Sequence, residues 1–200
     1  MPARAASRRT LERRQRGEAR QRLVAAAEET LRSHRLRELS VDDVMQTAGM
    51  SRTIFYRHFD DLFDLVLTVA AGAFEELLEL QRQILEDRAE EPAALVEAMT
   101  AAVNVFAEHG PLIRAVAEGA ALDEEVEVAY NEMFDRFVEL TARFLADRSA
   151  IPPEQSGELA RALTFMNVGY LLDAFGGEAR VTPQIATSTV LATWAAIAGP

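Results

Sequence analysis

The chain has 200 residues, a length that suits one compact domain or a small domain joined to a larger one. Apolar residues make up 49% of the sequence, so a core can form and wholesale disorder is not expected. Cysteine and lysine are both absent, which excludes disulfides, thiolate catalysis, cysteine-ligated metals, Schiff-base lysines and a P-loop lysine.

The net charge of −11 at pH 7 is unfavourable for a nucleic-acid partner, but the charges are segregated along the chain. Residues 1–59 hold 13 arginines and 7 acidic residues, whereas residues 60–200 hold 8 arginines and 25 acidic residues. A basic end joined to an acidic body is typical of a protein with one phosphate-facing surface. A basic disordered tail without any partner is the alternative.

The N-terminal end predicts an arm followed by a helix. Residues 1–17 are rich in arginine, alanine and serine and have no sustained apolar period, which predicts a flexible arm. From Glu18 to about Ser33, apolar residues recur at the spacing of one helical stripe, with Leu23 and Leu31 two turns apart.

Two short helices then follow, joined by a tight turn. Ser40 and Ser51 have the position and chemistry of N-cap residues, and the glycine of Ala48-Gly49-Met50 permits the positive φ of a turn. The second of these helices is predicted to run through Phe59. The plan is that of a three-helix helix-turn-helix domain over residues 18–62.

The remainder of the chain predicts a larger domain over residues 63–200. Caps, glycines and prolines divide it into helices, with one break at Gly110-Pro111. No segment alternates like a strand, so the predicted fold class is all-α. The predicted helices cover residues 62–87, 93–108, 111–120, 123–147, 154–175 and 183–198.

The last two predicted helices favour a homodimer. Helix 154–175 is apolar on nearly every face, and such a helix must be buried on all sides. Near the end of a small protein, a symmetry mate is the simplest partner, and helix 183–198 would complete a four-helix dimer bundle. A core helix of a monomer is the alternative.

The segment 51–59 has the composition of a DNA-reading helix. Phe55 and Phe59 lie one turn apart and should face the core, which leaves a polar, basic surface outside. Arginine can donate two hydrogen bonds to guanine, and tyrosine and threonine can donate to phosphates. A merely solvated helix face is the alternative. The candidate DNA-binding residues are Ser40, Ser51, Arg52, Thr53, Tyr56, Arg57 and His58.

Residues 20–65 resemble the DNA-binding domain of the TetR family of repressors. The resemblance implies an all-helical homodimer that binds palindromic operator sites in double-stranded DNA and is released by a small ligand. It rests on Arg20-x-x-Leu23-Val24-x-Ala26-Ala27, Leu39-Ser40-Val41-Asp42-Asp43-Val44, Ala48-Gly49-Met50-Ser51-Arg52 and Phe55-Tyr56-Arg57-His58-Phe59.

Two positions depart from the family pattern. Ile54 stands where the family usually has threonine, and Leu62 stands where it usually has lysine; both family residues contact phosphates. We therefore expect phosphate affinity to come from Thr53, Tyr56, Arg57, His58 and the N-terminal arm. The arm could follow the phosphates or enter the minor groove, or it could be a disordered tail. Its arginines are Arg4, Arg8, Arg9, Arg13, Arg14 and Arg16.

The C-terminal region is similar to the ethionamide-regulator branch of the same family. The similarity rests on Val103-Asn104-Val105-Phe106, on Glu158-Leu159-Ala160-x-Ala162-Leu163-x-x-Met166-Asn167, and on Trp194. It implies a long, mostly apolar ligand tunnel in each subunit.

Aromatic and methionine side chains could line such a pocket, although core packing is the alternative for any one of them. Asn167 is an amide in an apolar helix, so it either orients a ligand or bonds to a neighbouring helix. The candidate ligand-binding residues are Met99, Phe106, Met133, Phe134, Phe137, Phe165, Asn167, Tyr170 and Trp194.

The sequence therefore predicts a cytoplasmic, ligand-responsive repressor, associated with the nucleoid when bound to DNA. We expect no catalysis, no cofactor and no metal, since the three histidines lack metal-site spacing. No apolar run reaches the roughly 20 residues needed to span a membrane. A transcriptional activator, or a small-molecule-binding protein with a degenerate DNA-binding head, remains the alternative.

Overall fold

The structure, a computed structural model, describes the backbone of residues 2–87, 91, 93–148 and 152–198. It describes the side chains of residues 14–86, 91, 93–146, 152 and 155–196. Within that part of the chain every regular element is helical, which confirms the all-α fold class. The helices are α1 (Pro2–Ser33), α2 (Val41–Ala48), α3 (Arg52–Phe55), α4 (Leu62–Arg82), α5 (Ala94–Gly119), α6 (Glu124–Arg148), α7 (Pro153–Phe175) and α8 (Pro183–Ala198).

Helices α1 to α3 form the N-terminal head, which was predicted as a helix-turn-helix domain, and local signals set its turns. Ser40 caps α2, and its backbone N–H donates to the Asp43 carboxylate in return, so both ends of the capping box are satisfied. Gly49 ends α2 with φ +63°, a conformation that glycine adopts without steric cost. Leu23, Val44 and Phe55 are fully buried and hold the three helices together.

The third helix is shorter than predicted. Helix α3 ends at Phe55, and residues 56–58 form a turn instead of continuing the helix to Phe59. The His58 and Phe59 amides both donate to the Phe55 carbonyl, so the chain tightens as the helix ends. The tightening brings Phe59 into the core beside Phe55, with 5.8 Å between the ring centroids.

The prediction that the first helix begins near Glu18 was wrong, because α1 begins at Pro2. Arginine, alanine, glutamine and glutamate are good helix formers, and they support a helix without an apolar stripe. Arg14 and Glu18 also form an ion pair at the favourable i, i+4 spacing, with 2.9 Å between Nε and Oε1. The side chains of Arg4, Arg8, Arg9 and Arg13 lie outside the described residues.

Helices α4 to α8 form the body of the protein, with α5 packed between α4, α7 and α8. The long helix predicted over 62–87 is present as α4 followed by a π-helical turn, Gln83–Asp87. Trp194 of α8 is fully buried, and its ring lies 6.3 Å from that of Phe144 on α6. Among the described residues, no helix is long and apolar enough to cross a membrane.

The predicted break at Gly110-Pro111 was also wrong, since α5 passes through both residues as one helix. Proline removes one helical hydrogen bond, but packing of both residues in the core outweighs that loss. Glycine is required here for another reason: a Cβ atom on Gly110 would lie 2.2 Å from the Phe175 carbonyl oxygen. The pair thus marks the crossing of α5 with the end of α7.

Candidate functional site

The outward surface of α3 and of the turn after it, which we call the reading surface, consists of Arg52, Thr53, Tyr56 and Arg57 and is polar and basic. Arg52, Thr53, Tyr56 and Arg57 are exposed, while Phe55 on the opposite side is fully buried. Tyr56 is 54% exposed, and its ring stands edge-on to that of Phe55 at 5.4 Å. A buried aromatic ring therefore supports an exposed one that presents its hydroxyl to the solvent.

Both serines proposed as DNA ligands are exposed N-caps, but they differ in their bonding. The Ser40 hydroxyl donates to Asp43 at 2.6 Å and accepts the Asp43 N–H, so it is engaged within the capping box. The hydrogen bonds that the Ser40 hydroxyl and the Ser40 backbone N–H donate to the Asp43 carboxylate lower the pKa of Asp43. Ser51 precedes α3 without a side-chain cap bond, so of the two hydroxyls it is the freer to bind a phosphate.

Arg52 forms an ion pair that links α3 to α2. Its Nε lies 3.0 Å from the Asp42 carboxylate, and both side chains are exposed. A carboxylate in this position restrains a long side chain that is otherwise free to rotate. It also places one negative charge beside the reading surface, where the charge would repel a phosphate group.

His58 joins the reading surface to a basic stretch of α1. Burial lowers the pKa of His58, and the positive charges of Arg16, Arg20 and Arg57 nearby lower it further. The Arg20 guanidinium also lies 5.5 Å from the centre of the Phe59 ring. The reading surface is thus bordered by positive charge from a different helix.

The two positions that depart from the family pattern carry half-buried apolar side chains. Ile54 is half-buried within α3, and Leu62 is half-buried and packs against the core at the start of α4. Neither side chain offers a polar atom to a phosphate. The basic residues of α1 are the structural feature of the head that can replace them.

A small cavity of about 60 Å³ lies inside the body between α4, α5, α6, α7 and α8. It brings together five of the nine predicted ligand-binding residues, namely Met99, Phe106, Phe137, Asn167 and Trp194. Two edge-to-face aromatic contacts on Phe74, with Phe106 at 6.1 Å and Phe137 at 5.8 Å, order one wall.

The other four predicted ligand-binding residues do not line this cavity. The rings of Phe134 and Phe165 contact each other at a tilt, with 4.3 Å between their centroids, and Phe165 is 57% exposed on the outer side of α7. Met133 and Tyr170 are half-buried against the core elsewhere. For Phe165 and Tyr170 the reason is that α7 is apolar on nearly every face, so its sequence has no period from which the inner face can be predicted.

Sequence reasoning also missed polar groups of the cavity wall, which are Gln81, Thr141 and Thr164. Gln81 is buried and interrupts the apolar stripe of α4, which is the same signal that singled out Asn167. Thr164 lies three residues before Asn167 and therefore on the same face of α7. The apolar residues missed are Phe74, Leu77, Ala102, Val168 and Leu171.

Asn167 makes two long polar contacts inside the cavity wall. Its Oδ1 accepts from Trp194 Nε1 at 3.4 Å, and its Nδ2 lies 3.8 Å from Met99 Sδ. Both are weaker than the 2.9 Å bond that Gln81 Nε2 donates to the Ala98 carbonyl. The Asn167 amide thus retains hydrogen-bonding capacity in a mostly apolar cavity.

An outward polar and basic reading segment after a glycine turn, carried by a three-helix head on a larger helical body, defines a helix-turn-helix regulator of transcription. No family model matches the chain. The chain is 30% identical over 172 residues to the HTH-type transcriptional regulator EthR of Mycobacterium tuberculosis, covering 81% of this chain and 78% of that protein. EthR of Mycolicibacterium smegmatis is 26% identical over 86% of this chain and 80% of its own length.

The chain belongs to the TetR family of transcriptional regulators, with similarity to its EthR members. Solved structures share the fold. The TetR-family regulator PfmR of Thermus thermophilus matches with a TM-score of 0.69 at 20% identity, over 90% of this chain and 94% of that one. A regulator from Aquifex aeolicus matches with a TM-score of 0.68 at 13% identity, over 90% and 99% of the two chains.

Proposed function

We propose that this DNA-binding regulator is a repressor that binds a palindromic operator as a homodimer and is released by a small, mostly apolar ligand. The observation that carries the proposal is the exposed surface of Arg52, Thr53, Tyr56 and Arg57 on a buried phenylalanine support. Such a surface meets base edges and phosphates at once. A repressor of this design acts by occluding the promoter it covers.

In the proposed complex, Arg52 reads bases and its neighbours hold the backbone. Arg52 donates to guanine in the major groove, while Thr53, Tyr56 and Ser51 donate to phosphates. Arg16, Arg20 and Arg57 contact phosphates in place of Ile54 and Leu62, which have no polar atom to do so. His58 lies among these arginines, and a phosphate next to it would favour its protonated form.

The dimer would form through the outer face of α7 and α8. Phe165, Met166 and Ile185 are 57%, 38% and 53% exposed, although each is a large apolar side chain. Ala162 and Gly169 on the same exposed side of α7 allow close approach of a second helix. A two-fold axis through this face would place two heads in successive major grooves, about 34–36 Å apart.

The ligand would occupy the cavity around Asn167. A volume of about 60 Å³ is far below the roughly 300 Å³ of a typical ligand pocket, so side chains must move for a ligand to enter. Met99 and Trp194 hold the Asn167 amide only by long contacts, so displacing them costs little in lost hydrogen bonds. The ligand expected is apolar with one carbonyl or amide group for Asn167.

Release requires the ligand to bind one state of the protein better than the other. A shift of the DNA-competent fraction from 99% to 1% takes about 5.5 kcal/mol of differential binding. Two sites in a dimer would each contribute about half. An apolar ligand that fills a pocket opened in only one of the two states can supply that difference.

Fluorescence anisotropy tests the proposal. Labelled DNA from upstream of the protein's own gene is titrated at several salt concentrations, with a scrambled sequence of equal length as the control. We expect tight binding that survives physiological salt and exceeds binding to scrambled DNA by at least about 1000-fold. A screen of apolar amides on the same complex then measures release.

Equal, weak and strongly salt-dependent binding to both DNAs, repeated with a genome-wide selection of fragments, would contradict the proposal. It would favour the second candidate, a small-molecule-binding protein with a degenerate head. The observation behind that candidate is the loss of two polar positions at Ile54 and Leu62.

A further inference from the structure

The end of α1 is joined to the body by one arginine of α5. Arg114 is 15% exposed, and its Nη2 donates to two main-chain carbonyls, those of Leu31 and His34, the second at 2.8 Å. Carbonyls at the C-terminus of a helix lack partners within the helix, and the helix dipole there favours a cation. The guanidinium therefore serves as the C-terminal cap of α1, although it belongs to another domain.

Glu118, one turn further along α5, extends the contact to the loop after α1. Its carboxylate pairs with the Arg35 guanidinium and accepts the Leu36 N–H at 3.3 Å. Glu118 Oε1 also lies 3.5 Å from Arg114 Nε, which is buried without a hydrogen bond. The two side chains of α5 thus hold consecutive parts of one segment of the head, residues 31–36.

The turn after α7 completes the contact from a third direction. A Cβ atom on Gly176 would lie 3.3 Å from Arg114 Cβ and Cδ, so the glycine packs directly on the arginine stem. A Cβ atom on Gly177 would lie 3.0 Å from Arg114 Nη1 and 3.5 Å from the Arg32 carbonyl oxygen. Two consecutive glycines therefore let the backbone approach both the arginine and the head.

These contacts lie on the elements that carry the cavity and the proposed dimer face. Helix α5 contributes Met99 and Phe106 to the cavity, and α7 contributes Asn167. The two helices cross where Gly110 meets the Phe175 carbonyl, next to Arg114 and Gly176. A shift of either helix at the cavity must move the groups that hold α1.

We propose that Arg114 is the positioning residue that fixes the DNA-binding head to the body, by bridging the end of α1 to the crossing of α5 and α7. The proposal deepens the proposed function, on which its regulatory meaning rests. In a dimer, Arg114 sets the separation of the two heads and passes movements of α5 and α7 to α1. It touches neither the DNA nor the ligand.

Hydrogen–deuterium exchange of the full-length protein without DNA tests the proposal, so its result does not depend on whether the protein binds an operator. Arg114→Met keeps the stem and removes the guanidinium. We expect exchange of the amides in 31–39 to accelerate about tenfold or more, with a smaller increase through α2 and α3 and no change in the cavity helices. Arg180→Met is the matched control, because Arg180 also donates to a carbonyl near a helix end, that of Asp173, but lies within the body.

Two further variants allow the proposal to be tested even if Arg114→Met is unstable. Arg114→Lys keeps the charge without the planar fork, and we expect it to recover only part of the protection. Gly177→Ala crowds the guanidinium without changing it, and we expect faster exchange in 31–36. Unchanged exchange in the head, full recovery by lysine, or an equal loss throughout the body would each overturn the proposal.

Discussion

The functional residues of the head can be predicted from the sequence much more completely than those of the body. In the head, function lies on the outside of a small domain, and local signals such as the Ser40 cap and the Gly49 turn position it. In the body, the candidate cavity lies between five helices, and no local signal says which apolar side chains face it. A functional surface can therefore be predicted from short sequence patterns, whereas the lining of an interior pocket depends on how distant helices pack together.

The largest expected effect comes from removing the reading surface of the head. We expect Arg52→Ala combined with Tyr56→Ala to weaken specific DNA binding by about 100-fold or more, because a good arginine–base pair alone contributes about 1–3 kcal/mol. Both side chains are exposed, so the melting temperature should change little. Anisotropy with operator and scrambled DNA measures the effect.

Arg82→Ala is the matched control for this pair, since Arg82 pairs with Glu79 and Glu86 at the far end of α4. It also removes a positive charge, but from the body. An equal loss of operator binding in the control would show that net charge, and not the reading surface, determines affinity.

In the body, the next largest effect is expected at the outer face of α7. Phe165→Asp places a charge on each side of the proposed two-fold interface, where like charges cost several kcal/mol, and should convert the dimer to a monomer. Analytical ultracentrifugation measures the change in mass. Val128→Asp on α6, another exposed apolar residue, is the matched control and should leave the dimer intact. A dimer that survives Phe165→Asp would place the interface elsewhere.

A smaller effect is expected from the carboxylate that restrains Arg52. Asp42→Asn removes a negative charge beside the DNA and frees the arginine, so binding to scrambled DNA should strengthen by about two- to fivefold. Binding to the operator should strengthen less, because the free arginine must be ordered again. The ratio of the two affinities therefore falls, and a ratio that stays constant would mean that Asp42 acts through charge alone.

The smallest predicted effect tests the contact between head and body through pH. His109 Nδ1 lies 2.7 Å from Glu28 Oε1, and this hydrogen bond raises the pKa of His109 above its ordinary value of 6.5. The protonated pair therefore stabilises the fold fully below pH 6.5, and the stabilisation disappears as the pH rises through the folded-state pKa.

Denaturant unfolding between pH 5.5 and 8.5 measures this contribution. His109→Gln keeps a hydrogen-bonding side chain without the charge. We expect the difference in unfolding free energy between wild type and variant, about 1 kcal/mol at most, to decline with rising pH. A difference that grows with pH would contradict the assigned direction of the pKa.

How far the sequence predicts the structure depends on whether its signals are local. The caps at Ser40 and Ser51, the turn at Gly49 and the buried Phe55 are all local, and the head follows them. Gly110-Pro111 is also a local signal, but the helix break predicted from it was wrong. The glycine is required because the backbone of a distant residue, Phe175, approaches it closely. Arg114 carries no signal at all in the sequence, since its partners lie about 80 residues away.

In the proposed complex, the two heads of one dimer occupy successive major grooves of the operator. Hydroxyl-radical footprinting of the selected operator tests it most directly, because it maps the contacted backbone at single-nucleotide resolution. We expect two symmetric protected half-sites with centres about 10–10.5 base pairs apart, or a multiple of that spacing, both lost in the Arg52→Ala, Tyr56→Ala variant. A single protected half-site, or protection without two-fold symmetry, would contradict it.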